Sequence, residues 1–346
     1  VSTLALSGTQ FVGNTATFHG GGVRALGAAT LTGGVFQSNT SGSQGGGLHA
    51  NSTLVMTNTQ LISNTAISFG GGANAGGAAT LIGGLFQSNN AGSAGGGLYA
   101  NSTLALDSTQ FVSNTAATAG GAIVNGAATL IGGVFRSNMA GQIGGGLRAQ
   151  SSLALTGTQF VGNTGADGGG LYLTGASAKR VVNALFARNR ASSNGAAIYV
   201  ANAAPFGLVH ATIVSPTLPT GAPGAIYVAA GTVYITNTIV ASHTTGLQQT
   251  GGTVTQNNNL FYANTNHTVG SVNGGLSPIG NPAFFDTVNY TLTVSSAAID
   301  IGADAGVPID FFGNSRPQGG APDAGYAESP YPAPAPGVAT CFTEYT

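Results

Sequence analysis

A Phe/Leu-x-x-Asn motif returns eight times along the chain at nearly constant spacing. The copies are Phe11/Asn14, Phe36/Asn39, Leu61/Asn64, Phe86/Asn89, Phe111/Asn114, Phe135/Asn138, Phe160/Asn163 and Phe186/Asn189. Successive copies are 25, 25, 25, 25, 24, 25 and 26 residues apart. A glycine cluster keeps phase with them: 20–22, 45–47, 70–72, 95–97, 120–121, 144–146 and 168–170. A fixed period of this length is the signature of stacked repeats, in which each unit buries its apolar face only against its neighbours.

Each period contains three short apolar segments separated by polar or glycine-rich corners. In the first they are Leu4-Ala5-Leu6, Phe11-Val12 and Val23. Segments this short cannot be helices, and the Leu4/Leu6 alternation has the two-residue period of a strand. Three strands and three corners per ~25 residues describe one coil of a parallel β-solenoid, stacked on the next at about 4.8 Å. Parallel crossovers favour the right hand, so the fold class expected is all-β, a single-stranded right-handed parallel β-helix. In coils carrying Ala29-Thr-Leu31 or Ala79-Thr-Leu81, Leu sits two residues nearer the Phe than it does in Leu4-Ala-Leu6. Alternate coils are therefore expected to place two extra residues at different corners. The Asn of each motif is expected at a left-handed corner, with its amide in a structural ladder from coil to coil. The glycine clusters are expected to let backbones approach closely at another corner.

Composition narrows the function classes. The 346 residues hold only eight basic and nine acidic side chains, 5% of the chain against about 25% in an ordinary soluble domain. Apolar residues at 42% are enough for a core. A net charge of −1 offers no footprint for nucleic acid. The apolar runs are too short for a helical membrane span. The lone Cys341 excludes an internal disulfide framework and reads as a tail hydrophobe or an intermolecular disulfide.

After about residue 190 the repeat loosens and its corners acquire Pro205, Pro216, Pro219 and Pro223. With a last turn at Asn259-Leu-Phe-Tyr262 the expected total is about eleven coils. The expected organisation is a solenoid over 1–262 (regular over 1–190, irregular over 191–262), a C-terminal closing cap over 263–329, and a Pro-rich linker and tail over 330–346. The paired Gly-Gly-x-aliphatic and Phe-x-x-Asn repeats resemble those of polymorphic outer-membrane and adhesin-like β-helix proteins. Asn281-Pro-Ala-Phe-Phe, Ser296-Ala-Ala-Ile-Asp300, Asp310-Phe-Phe-Gly-Asn-Ser-Arg-Pro317 and Pro322-Asp-Ala-Gly-Tyr-Ala-Glu328 resemble the closing segment of secreted bacterial right-handed β-helix proteins. That resemblance implies a secreted protein of a bacterial cell surface and assigns no reaction. The family's anchoring signal is not recognisable after Pro330, Pro332, Pro334 and Pro336.

Chemistry is sparse. Glycoside hydrolysis needs two carboxylates within about 5–9.5 Å, yet the only acids before residue 286 are Asp107 and Asp167, expected at different corners. Asp300, Asp304 and Asp310 are read as turn and capping residues, with calcium as the alternative. His19, His49, His210, His243 and His267 lack ligand spacing. No catalytic residue, cofactor or metal site is assigned. One face stands out, formed by the residue after each post-glycine aliphatic: Arg24, His49, Asn74, Tyr99, Val124, Arg148, Tyr172, Tyr199 and Tyr227. It is expected to point outward as a binding or assembly stripe of Tyr and Arg. Arg136, Arg148, Lys179, Arg180, Arg188 and Arg190 are expected to form a basic cluster over two to three coils.

The expected function is a non-enzymatic extracellular structural protein, a subunit of a surface fibre assembled head to tail, or a surface adhesin. Leu4 is already in repeat phase, so an open first coil is expected to seek a second copy. Surface glycans are the other expected partner. The alternative is a carbohydrate-binding or polysaccharide-degrading β-helix protein. Ice binding ranks lower, because Thr9, Thr59, Thr109 and Thr158 recur only on alternate coils.

Overall fold

The computed structural model describes residues 3–202, 205–215, 223–275 and 277–333. Among them the chain is all-β and coils as a right-handed parallel solenoid of about ten turns, ~25 residues each. Four parallel sheets run along the axis. Sheet A holds twelve strands from Leu4–Ser7 to Val272–Gly274, and sheet B eleven from Gln10–Val12 to Leu260–Tyr262. Sheet C holds eight from Thr15–Ala16 to Arg190–Asn194, and sheet D eleven from Val23–Ala25 to Asn266–Val269. The fourth sheet corrects the expectation of three strands per coil. Sheet C is built from pairs such as Thr15-Ala16, Thr40-Ser41 and Thr65-Ala66, whose small side chains leave no apolar segment to read.

Register is constant along the stack. Leu4 pairs with Ala29, Ala29 with Leu54 and Leu54 with Ala79, so no residues shift between corners in alternate coils. Leu and Ala instead alternate in one inward column of sheet A, large beside small, which is how a close-packed core fills. In sheet B the repeat phenylalanines lie over one another. Phe86, Phe111, Phe135, Phe160 and Phe186 stack at 4.7–5.0 Å, and each is at most 1% exposed. Burial of each ring contributes about 1.5–3 kcal/mol.

Beside this stack runs a column of amides. Each Nδ2 donates to the Oδ1 of the next Asn: Asn14 to Asn39, Asn39 to Asn64, and so on to Asn163 with Asn189, all at 2.9–3.0 Å. Each Oδ1 also accepts the preceding Asn's backbone N–H, as Asn114 does from Asn89 at 3.0 Å. These Asn residues do not hold the left-handed corner. That conformation falls one residue earlier, at Gly13, Ser38, Ser63, Ser88, Ser113, Ser137, Gly162 and Arg188 (φ 54° to 67°). The turn at that residue is what aims the following Asn inward. At the opposite corner, a Cβ on Gly21 would lie 2.3 Å from the Gly46 carbonyl oxygen and 2.5 Å from that of Thr40. Only glycine admits that approach.

The C-terminal segment does more than close the end. Residues near Pro278 and Gly280 bond to Phe261 at the last edge of sheet B. Beyond them the chain turns back along the flank, and Tyr290, Leu292, Ile299, Ala324 and Tyr326 pack on the outer face of sheet B. There the outward column, in which Gln10, Gln60, Gln110 and Gln159 alternate with Val35, Leu85 and Val134, loses its glutamines and runs Leu185, Thr212, Ile239 and Leu260. Corner side chains hold the segment's backbone: Asn183 donates to Ile309 O (2.8 Å) and Asn258 to Ile301 O (2.7 Å). Asn237 both donates to and accepts from Ala303. A buried pair, Arg316 Nη1 to Glu328 Oε1 at 2.5 Å, ties the segment to itself. Pro334, Pro336 and the tail with Cys341 lie outside the described residues.

Candidate functional site

The outward residues of sheet D form one column in ladder register: Arg24, His49, Asn74, Tyr99, Ile123, Arg148, Tyr172, Tyr199 and Tyr227. Ile123 stands where Val124 was expected. The small Ala122 takes the inward place beside Leu98 and Leu147, so Val124 also points in. The column does not stand free on the surface. His49, Asn74 and Ile123 are buried and the tyrosines half-buried, because the loops before the glycine clusters rise beside the sheet. The column is the floor of a trough.

Its upper part is a recess of about 260 Å³ lined by Gln44, His49, Asn51, Phe69, Asn74, Gly76, Tyr99 and Asn101. Tyr99 leans on Phe69 (4.8 Å, 41°), and its hydroxyl accepts from Asn125 Nδ2 at 3.0 Å. His49 stacks on His19 at 4.8 Å and 20°. Burial, then the charge on His19, holds the His49 pKa down at about 4. The in-plane lone pairs of two nearly parallel rings do not converge on one ion, so the pair is not a chelating site. Ala94, Ala119 and Ile123 fill the middle of the trough.

Below them Tyr172, Tyr199 and Tyr227 stack at 5.1 Å with interplanar angles of 5° and 16°. Rings side by side in one plane cannot come this close, so they overlap face to face. The faces turned toward one another are covered, and the outer faces of Tyr172 and Tyr227 lie outside the stack. Stacking on a sugar face is thereby denied to the middle ring, Tyr199. Burial raises the hydroxyl pKa of Tyr172 and of Tyr199.

The six basic residues do not gather. Arg136 is outward on sheet B and Arg148 on sheet D, while Arg180 is outward on sheet A and Arg190 lies in sheet C. Arg188 sits at a corner and donates to Thr287 O. Lys179 turns into the stack, 3% exposed, its Nζ donating to Gly175 O and Ser177 O at 2.9 Å. The coil geometry disperses them because neighbours in sequence fall on different sheets.

The acids are equally separate. Asp107 is exposed on sheet A and accepts from Ser108; Asp167 ends a strand of sheet C and accepts from Asn194. In the C-terminal segment Asp300, Asp304 and Asp310 accept backbone N–H groups of Ala321, Gly306 and Phe312. These are the turn and capping roles. No group of three His, Cys, Asp or Glu side chains gathers as for a metal among the described residues.

No helix among the described residues is long and apolar enough to cross a membrane. Sequence reasoning passed over a second outward column, on sheet A, where Ala154, Arg180, Gly207 and Tyr234 follow one another. Its signal was a glycine replacing a side chain in an otherwise filled row. Compared with known proteins, the chain matches no family, no curated protein and no solved structure.

Proposed function

We propose that this chain is a non-enzymatic extracellular structural protein, a rigid rod of a bacterial surface that serves as a fibre subunit or an adhesin. The observation that carries this reading is the unbroken amide column from Asn14 to Asn189 beside the phenylalanine stack. It locks successive coils into one body and holds the outer columns of sheets A and D in straight rows, a geometry suited to display. Sparse Lys and Arg leave trypsin-like proteases few sites, which suits an exposed rod. Self-association along the axis belongs to the reading. The strands Asn266–Val269 and Val272–Gly274 have a partner on one side only among the described residues, and such edges accept further strands. A carbohydrate-binding role is the second reading, favoured by the amides and aromatics of the Tyr99 recess.

Negative-stain microscopy of native material, with light scattering over concentration, tests the proposal. Straight rods or end-to-end fibres are expected. Polysaccharide cleavage that is lost in Asp107→Asn or Asp167→Asn would overturn it.

A further inference from the structure

In one of the two outward columns of sheet A the side chains are small for seven coils and then change abruptly, while the other column carries Ile82, Asp107 and Ile131 beside them. Ala5, Thr30, Val55, Thr80, Ala105, Thr129 and Ala154 give way to Arg180, Gly207 and Tyr234 on consecutive rungs. Arg180 and Tyr234 stand two rungs apart, about 9.6 Å, with Gly207 as the floor between them. A Cβ built on Gly207 would meet nothing within 4 Å, so the space above it is open. The slot belongs to a recess of about 540 Å³ that runs past Arg180 over Ala154 and Thr129, with Pro205 on one side.

Three features fix what this recess fits. Contacts of about 3.5–4.0 Å to each wall leave roughly 2 Å between the outermost atoms of an occupant, the thickness of a single ring. Tyr234 is 48% exposed and turns a free side toward the slot, unlike Tyr199, which is covered on both faces. Arg180 is exposed and has neither a carboxylate partner nor a side-chain hydrogen bond among the described residues. The neighbouring Lys179 ammonium adds positive charge from beneath, with no acid on the same face nearer than Asp107, three rungs away. A ring that carries an anion satisfies both walls: its apolar face stacks on the phenol, and its carboxylate takes the planar guanidinium fork.

We propose that the Arg180–Gly207–Tyr234 slot binds the carboxylated pyranose of an acidic polysaccharide, a uronic-acid unit, with the adjoining unit lying over Ala154 and Thr129. The small residues leading to the slot form a lane, bordered on the next column by Ile82, Asp107 and Ile131, on which a linear polymer continues along the axis. The inference draws on the surface reading above only for the source of the ligand. Free oligosaccharides test it independently of fibre formation and of localisation.

The experiment is isothermal calorimetry of the whole chain with oligogalacturonate and, as a neutral probe, its fully methyl-esterified form. Weak saturable binding of the acid is expected, falling as salt rises, with at least tenfold weaker binding of the ester. Gly207→Leu fills the slot from open space and should leave the melting curve intact while reducing binding at least tenfold. Arg180→Gln should do the same and erase the preference for acid over ester. Tyr234→Ala should weaken both ligands, and Tyr234→Phe should retain binding. Equal affinity for acid and ester, undiminished binding by a folded Gly207→Leu protein, or no binding of either oligogalacturonate or oligomannuronate would each overturn the proposal.

Discussion

Replacing Asn114 with alanine lowers the unfolding free energy by about 3–5 kcal/mol, far more than the loss of one exposed amide. Asn114 is fully buried, and its Oδ1 accepts from both the backbone N–H and Nδ2 of Asn89. Its Nδ2 donates to Phe86 O at 2.8 Å and to Asn138 Oδ1 at 2.9 Å. Truncation leaves the Asn89 backbone donor and at least one carbonyl without partners in the interior, each costing about 1–3 kcal/mol. Asn114→Asp is expected to be at least as harmful. A carboxylate accepts from Asn89 but has nothing to donate to Phe86 O or Asn138 Oδ1, and it places a charge in an apolar interior. Chemical denaturation of the two variants and of the exposed control Asn101→Ala measures the difference. Variants within about 1 kcal/mol of the parent would show that the column does not hold the coils together.

Acid destabilises the protein steeply between pH 6.5 and 3. His243 is 4% exposed, and neither ring nitrogen has a hydrogen-bond partner; burial holds its pKa down at about 3. His210 is fully buried between the Asn237 amide, which donates to its Nε2, and Asp323 O, which accepts from its Nδ1. Burial first, then the positive charge of Arg316, lowers its pKa to about 3 as well. Both folded values lie below the ordinary 6.5 of the unfolded chain. Their contribution is therefore complete above pH 6.5 and is lost as pH falls toward 3, by about 4–5 kcal/mol for each histidine.

Asp323 acts in the opposite sense. Burial, helped by the charge of Glu328, raises its pKa to about 7, although backbone donors at Asp300 and Ser329 pull it down. Its contribution is complete below about pH 4 and fades as pH rises through 7. Between pH 7 and pH 4 the two histidines lose about 6 kcal/mol and the aspartate returns about 3, so a net loss of about 3 kcal/mol is expected to lower the melting temperature of a chain this long by about 4 °C. His243→Leu should make that slope shallower while changing the melting temperature little at pH 7. A flat profile, or a slope unchanged in the variant, would contradict this assignment.

The stack was legible because its inward positions repeat: Phe111, Asn114 and the paired glycines each fill a place that tolerates few alternatives. Sheet C was not, since Thr15-Ala16 and Thr40-Ser41 read as corner residues until coils above and below pair with them. The left-handed residue was misplaced onto Asn because Asn favours that conformation in isolation. In the fold Ser38 and Ser63 adopt it, and the inward amide bonds of Asn39 and Asn64 repay the strain. The outward stripe was traced correctly except in the coil with 24 residues, where the short glycine pair at 120–121 moved the count by one. That the stripe lies in a trough could not be read, because it depends on how high the neighbouring corner loops rise. The flank covered by the C-terminal segment did leave a trace, in the alternate glutamines of one outward column that cease after Gln159, leaving Leu185, Thr212 and Ile239.

Equal rungs stacked on one axis make separations along sheet A additive, and paired spin labels measure this directly. In a Cys341→Ser background, Thr30→Cys with Thr129→Cys spans four rungs, Thr80→Cys with Tyr234→Cys six, and Thr30→Cys with Tyr234→Cys eight. At one strand spacing per rung, electron–electron distance measurements should give backbone separations of about 19, 29 and 38 Å. Distances that fail to grow in the ratio of four to six to eight, or a broad distribution for the longest pair, would contradict a single rigid stack and the display role built upon it.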